Sequence, residues 1–182
     1  MKRLALFFIL SFCLTGLATA QFKAGAAPAP QTAEQPAAQP AAGVDWQAFE
    51  EAIVTADSSG KMILVDIYAP WCGWCRRLQH EVYTDSSVQD YLAEHFEVAR
   101  LNGDDTQQTY SFKGYNLNGM ELAQGLGAEG FPTTVFLGSN SDYITRLPGF
   151  AEAPEFLQIL QYVQTRAFET QSFPEFVESL DK

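Results

Sequence analysis

The sequence predicts an α/β domain with a central mixed β-sheet flanked by helices. Three observations carry that expectation. Short apolar, β-branched runs alternate with stretches of helical periodicity, the pattern of strands covered by helices. An early strand is followed by helical sequence and then a second strand, as a parallel crossover requires. Later, two strand-like runs are separated only by residues 138–142, where Gly138-Ser139-Asn140-Ser141 is a turn that makes its flanking strands antiparallel.

The N-terminus reads as an export signal. Lys2 and Arg3 precede an apolar run from Leu4 to Leu14, and Ala18-Thr19-Ala20 supplies the small-x-small pattern of a cleavage site after Ala20. The run falls short of the ~20 apolar residues of a membrane span, which makes a permanent anchor the lesser alternative. Phe12 is too bulky to precede a lipid-attachment cysteine at Cys13, so Cys13 belongs to the leader. Gln21 to Gly43 is rich in Ala, Pro and Gln, has no apolar periodicity and reads as a linker. The folded domain is expected over 44–182, without internal repeats.

Within it, Val44 to Ala56 carries Trp46, Phe49, Ile53 and Val54 at helical spacing, with Asp45 as the expected cap. Met62 to Tyr68 is a buried strand by its apolar run, broken only by Asp66. A helix follows from the Cys72-Gly73-Trp74-Cys75 motif to about Tyr83. Asp85 to His95 is a second helix with Val88, Tyr91 and Leu92 on one face, and Phe96 to Leu101 is a strand. Residues Gly103 to Gly119 are polar, contain Tyr110, Phe112 and Tyr115 around Lys113-Gly114, and read as an inserted loop or small hairpin, either bland or a recognition element. Glu121 to Leu126 is a short helix. Thr133 to Leu137 and Tyr143 to Leu147 form the hairpin. Ala153 to Phe168 is a helix with Phe156, Leu157, Leu160 and Val163 inward, and Pro174 to Leu180 ends the chain as a terminal helix.

Charge narrows the function. Removing Lys2 and Arg3 with the leader leaves nine basic residues against 22 acidic ones, a balance of −13. Nucleic acid and anionic membrane both require a basic surface, so neither is an expected partner. Only Cys72 and Cys75 survive cleavage, and one close pair is no disulfide scaffold. Disulfide exchange needs one thiolate that attacks and a second thiol that resolves the mixed disulfide. A C-x-x-C at a helix start supplies both, since backbone amides and the helix dipole favour the first sulfur as an anion. Cys72 is thus the expected exposed nucleophile and Cys75 the resolving thiol. Zinc is the competing reading, but it needs two more ligands, and only His80 and His95 are on offer. No metal or cofactor is expected.

The segment Val65-Asp66-Ile67-Tyr68-Ala69-Pro70-Trp71-Cys72-Gly73-Trp74-Cys75 resembles the thioredoxin active-site segment. Gly130-Phe131-Pro132-Thr133-Thr134-Val135-Phe136 resembles the family's cis-proline strand entry. The resemblance runs from about Val44 to Phe168, includes Gly149 after the hairpin, and implies a thioredoxin-like fold. Asp85-Ser86-Ser87-Val88, the insertion and Arg146-Leu147-Pro148-Gly149-Phe150 are most similar to periplasmic thioredoxins of the SoxW type and the periplasmic reductase domain of DsbD.

The resemblance also implies roles. Pro132 matches the proline whose cis bond sets backbone beside the disulfide, where the groups of Phe131 pair with an extended substrate. Asp66 matches the buried carboxylate behind the resolving cysteine, the proton shuttle for Cys75, with an exposed edge-strand Asp as the alternative. Arg100 matches a nearby lysine and would offset Asp66. Trp71, Gly73 and Trp74 would form the docking surface around Cys72, with Trp46 the tryptophan of the core. Trp74 departs from the proline of reducing thioredoxins and the histidine of strong oxidants. It brings no charge, which favours the reducing side.

The leading expectation is a periplasmic or secreted reductase of disulfide-containing client proteins, supplied with electrons by a membrane thiol reductase and not itself membrane-inserted after cleavage. The alternatives are a disulfide oxidase or isomerase, and a thioredoxin-like binding module whose Tyr110 to Tyr115 segment holds a partner.

Overall fold

A computed structural model describes residues 43–180. The expected leader, and the expected linker apart from Gly43, lie outside the described residues. The element order is α1 (Phe49–Ser59), β1 (Met62–Tyr68), α2 (Gly73–Glu81), α3 (Ser86–His95), β2 (Phe96–Asn102), β3 (Thr109–Phe112), β4 (Tyr115–Asn118), α4 (Gly119–Gly125), β5 (Thr133–Leu137), β6 (Tyr143–Pro148), α5 (Ala153–Gln164), a 3₁₀ turn (Ala167–Glu169) and α6 (Phe173–Leu180).

Four strands form one sheet in the order β2-β1-β5-β6, with β2 parallel to β1 and β5 and β6 antiparallel to their neighbours. The mixed sheet expected from the crossover and the hairpin is therefore present. Since β1 is central and covered on both faces, it needs a continuous apolar run rather than alternation. On one face Leu64, Val98 and Phe136 pack with Leu78, Val88, Leu92, Phe156 and Leu160 from α2, α3 and α5. On the other, Ile63, Val65, Ile67, Leu101 and Val135 pack with Phe49, Ala52 and Ala56 of α1 and Leu122 of α4. Among the described residues no helix is long and apolar enough to cross a membrane.

Several boundaries differ from expectation for local reasons. The first helix starts at Phe49, not Val44, because the Gln47 N–H donates to the Val98 carbonyl at 2.9 Å and bridges to β2 in parallel. Ala48, not Asp45, holds the cap position. Val54 faces solvent at 71% exposure, and Phe49, Ala52 and Ala56 form the inner stripe instead. Helix α2 ends at Glu81, after which Val82 and Tyr83 turn into the core. Helix α5 ends at Gln164, where Arg166 enters a left-handed conformation (φ 56°) and a 3₁₀ turn takes over.

Residues 109–118 form the hairpin β3-β4. Its turn residues Lys113 and Gly114 have φ of 48° and 84°, the two positive values that a tight I′-type hairpin turn requires. Asn118 ends the hairpin by capping α4, accepting from the Glu121 N–H while the Glu121 side chain accepts from its own.

A candidate redox site at the start of helix α2

Strand β1 delivers the chain to the redox motif. The Cys72 N–H donates to the Ala69 carbonyl at 3.0 Å, closing the turn that ends β1's run, and Cys72 then caps α2. The Cys75 N–H donates to Cys72 Sγ at 3.0 Å. A free N-terminal amide of the helix thus addresses the first sulfur, the geometry that favours it as the anion. The two cysteines are joined as a disulfide with Cα atoms 5.3 Å apart. In this oxidised state Cys72 is only 4% exposed and Cys75 5%, so the expected exposure of Cys72 is corrected. Ala69, Tyr68 and Phe131 cover the pair, and position in the helix, rather than accessibility, separates the two sulfurs.

The loop before β5 borders the disulfide. The Phe131–Pro132 peptide is cis, and the Phe131 ring packs on the cysteine cluster. The Pro132 carbonyl accepts from the Gly149 N–H at 2.9 Å. Gly149 has φ 83°, where a side chain is strained, which explains a glycine after β6.

Two tryptophans flank the site in solvent, Trp71 at 66% exposure and Trp74 at 55%. Trp46, by contrast, packs partly buried against the core. Neither exposed ring is loose. Trp71 Nε1 donates to Asp104 Oδ2 at 2.8 Å, and its ring meets Phe131 edge-on at 5.8 Å. Trp74 lies 5.7 Å from Phe150, with the Arg77 guanidinium 5.2 Å from its centroid and 4.6 Å from that of Phe150. Glu81 pairs with Arg77 one turn on, at 2.8 Å. An open groove lined by Trp74, Phe131, Pro132, Phe150, Glu152 and Glu155 results. Gly73 is exposed at the lip of the motif.

Behind the site Asp66 is 2% exposed in the middle of the sheet, so it is no water-facing edge residue. Arg100 Nε donates to Asp66 Oδ2 at 2.9 Å. Burial pushes the Asp66 carboxyl above its usual range, and the charge and hydrogen bond of Arg100 only partly offset it. Arg100 is itself stacked over Tyr68 at 4.2 Å and Trp46 at 5.5 Å, which supports its planar group. His80 and His95 do not join the cysteines: among the described residues no three His, Cys, Asp or Glu side chains cluster as a metal site would require.

Sequence reasoning missed Asp104, Arg77, Phe150, Tyr83 and Thr134. Arg77 had a signal, since it follows Trp74 by three positions on one helix face. Thr134 lies opposite Asp66 across β1 and β5, a register that only the folded sheet reveals.

Fold and site together define a class: α/β domains with a close cysteine pair at a helix start beside a cis-proline loop. A model of the thioredoxin-like domain matches residues 49–164, and the chain belongs to that family. It is 31% identical over 111 residues to the thiol:disulfide interchange protein DsbD of Yersinia pestis (strain Pestoides F), covering 59% of this chain and 17% of that protein. The chain therefore spans less than a fifth of the length of that relative. Among solved structures, a thioredoxin from Thermus thermophilus is 28% identical with a TM-score of 0.54, over 66% of this chain and 87% of that one. A putative disulphide-isomerase from Bacteroides thetaiotaomicron is 29% identical with a TM-score of 0.54, over 71% and 97%.

Proposed function

We propose that this protein is an exported thiol-disulfide oxidoreductase that reduces disulfides of periplasmic or secreted client proteins. The observation that carries the direction is the pair of uncharged residues between the cysteines, Gly73 and Trp74, with Trp71 and Phe131 completing an aromatic rim. Arg76, the next residue after the motif, spends its guanidinium on the Pro70 carbonyl at 3.2 Å, and no histidine stands between the cysteines to add to what the helix amide gives the sulfur. Strong oxidants stabilise their thiolate further.

In the reduced protein the Cys72 thiolate attacks one sulfur of a client disulfide, forming a mixed disulfide and releasing one client thiolate. Asp66 accepts the Cys75 proton. The Cys75 thiolate then attacks Cys72 Sγ, the Cys72–Cys75 disulfide forms, and the second client thiolate leaves and takes up a proton. Two electrons have passed to the client. The backbone N–H and C=O of Phe131, set beside the disulfide by the cis bond to Pro132, hold the client strand, and Trp71, Gly73 and Trp74 receive its side chains. A membrane thiol reductase restores the dithiol. Residues 1–20 act as the export signal and 21–43 as the linker.

Equilibration of the purified domain with glutathione tests this reading. A potential near ~ −270 mV supports it, a value near ~ −120 mV replaces it with an oxidase, and no reversible exchange leaves a binding module.

A further inference from the structure

On the α2, α3 and α5 side of the sheet, four buried polar atoms lack a formed hydrogen bond: Trp46 Nε1, Asp66 Oδ1, the Tyr83 hydroxyl and Thr134 Oγ1. Buried polar atoms are nearly always paired, so a cluster of this kind marks a polar network with a task. Three of the four face one another. Thr134 is the cross-strand partner of Asp66, which sends both side chains from the same face of the sheet. Tyr83 enters from the segment after α2, fully buried, with its hydroxyl toward both the Asp66 carboxylate and the Thr134 hydroxyl. Trp46 at 4.9 Å and Phe156 at 5.7 Å hold the tyrosine ring edge-on, which fixes the direction of its C–O bond.

Donor arithmetic then assigns the parts. An ionised carboxylate only accepts, and Arg100 of β2 already serves Oδ2. The remaining groups around Asp66 are Tyr68 on its own strand, stacked on Arg100, then Thr134 of β5 and Tyr83. A tyrosine hydroxyl can donate to Oδ1 while accepting from Thr134. Burial and the nearby Asp66 charge hold the Tyr83 hydroxyl well above its ordinary range, so it keeps its own proton throughout.

We propose that Tyr83 is a positioning residue: it donates to Asp66 Oδ1 when that carboxyl ionises, accepts from Thr134, and thereby sets the pH at which Asp66 releases its proton. The kinetic consequence, though not the hydrogen bond itself, rests on the proton-shuttle role given to Asp66 above.

Two readouts on the full chain keep the two ideas apart: the carbon-13 shift of the Asp66 carboxyl against pH in the oxidised protein, and the pH profile of client reduction. Tyr83→Phe preserves the ring packing and is expected to raise the Asp66 midpoint by about half a pH unit, roughly a threefold change in proton affinity. The rate profile is expected to move with it, and to stay put when the same change is made in an Asp66→Asn background. A moved carboxyl midpoint with an unmoved rate profile upholds Tyr83 and sinks the shuttle role. An unmoved midpoint overturns the Tyr83 proposal. Should Tyr83→Phe fail to fold, Thr134→Val decides: a smaller upward shift upholds the chain of donors, and an unchanged midpoint overturns it.

Discussion

Arg100 and Asp66 form a buried ion pair, Nε to Oδ2 at 2.9 Å, with side chains only 8% and 2% exposed. The pair is asymmetric. Arg100 has aromatic rings on which to stack, whereas Asp66 retains a buried oxygen without a formed hydrogen bond. Burial therefore wins over the ion pair, and the carboxyl sits above its usual range.

That direction fixes the pH dependence of stability. The folded state binds the Asp66 proton more tightly than the unfolded chain does, so stability from this group is present below the unfolded pKa of ~3.8 and lost as pH rises through the higher folded value. Each unit of elevation corresponds to about 1.4 kcal/mol. Asp66→Asn is expected to gain on the wild type as pH rises above the unfolded value of ~3.8 in urea unfolding of the oxidised protein. A difference that is constant with pH would contradict the raised carboxyl.

Arg100→Met removes the cation and leaves a carboxylate alone among Tyr68, Tyr83 and Thr134. Breaking a buried pair from one side costs about 3–5 kcal/mol when the other charge persists. Here Asp66 takes up a proton instead, so the expected loss is smaller at acid pH than at alkaline pH. Denaturant midpoints at an acid and an alkaline pH check this, and equal losses at both would show that the carboxyl stays charged.

How much of this was legible in the sequence depended on whether the signal was local. Asp66 stood out because it is the lone charge in an apolar run, Cys72 and Cys75 because their spacing is short and chemical, and Pro132 only through the resemblance of its segment to the thioredoxin strand entry. The hairpin turn at Lys113-Gly114 was half legible, its glycine visible but its two positive φ values not. Tyr83 left no local trace. It lies just past the end of α2 in Glu81-Val82-Tyr83-Thr84, where helical periodicity has stopped, and only packing against Trp46 and Phe156 brings it to Asp66. The start of α1 was misread because an extended stretch paired to β2 and a helix share the same apolar residues, Val44 and Trp46.

Asp104 is expected to act on client docking through Trp71. The indole N–H bond holds an exposed ring in place, and its loss should free the ring without touching the sulfurs. Asp104→Ala should raise KM for a protein client several-fold while leaving the exchange rate with dithiothreitol unchanged, as removal of one charge-assisted hydrogen bond of about 1.5–3 kcal/mol allows. A slowed small-thiol reaction would place Asp104 in the chemistry instead.

The order of attack follows from which sulfur receives the helix amide. Cys72 Sγ accepts from the Cys75 N–H, and Cys75 lies inside the first turn. Limiting iodoacetamide on the reduced protein should label Cys72, and Cys75→Ser should accumulate mixed disulfides that Cys72→Ser does not. Preferential labelling of Cys75, read by peptide mass spectrometry, reverses the assignment.

Trp74 sets the last expectation, the direction of electron flow. Its ring is uncharged and carries Arg77, which Glu81 anchors and Phe150 backs. Trp74→His would put a protonatable ring beside the attacking sulfur, stabilise the thiolate and move the couple toward oxidation. Arg77 tempers that effect, because a guanidinium now 5.2 Å from the Trp74 centroid opposes a second positive charge there. The shift expected for Trp74→His alone is therefore some tens of millivolts, ~30 mV corresponding to ~1.4 kcal/mol, and it should grow when Arg77→Gln is added. Trp74→Phe keeps the aromatic platform and should leave the potential near the wild-type value. Glutathione equilibration of the four proteins measures all of this, and a Trp74→Phe shift as large as that of Trp74→His would show that packing, not charge, sets the potential.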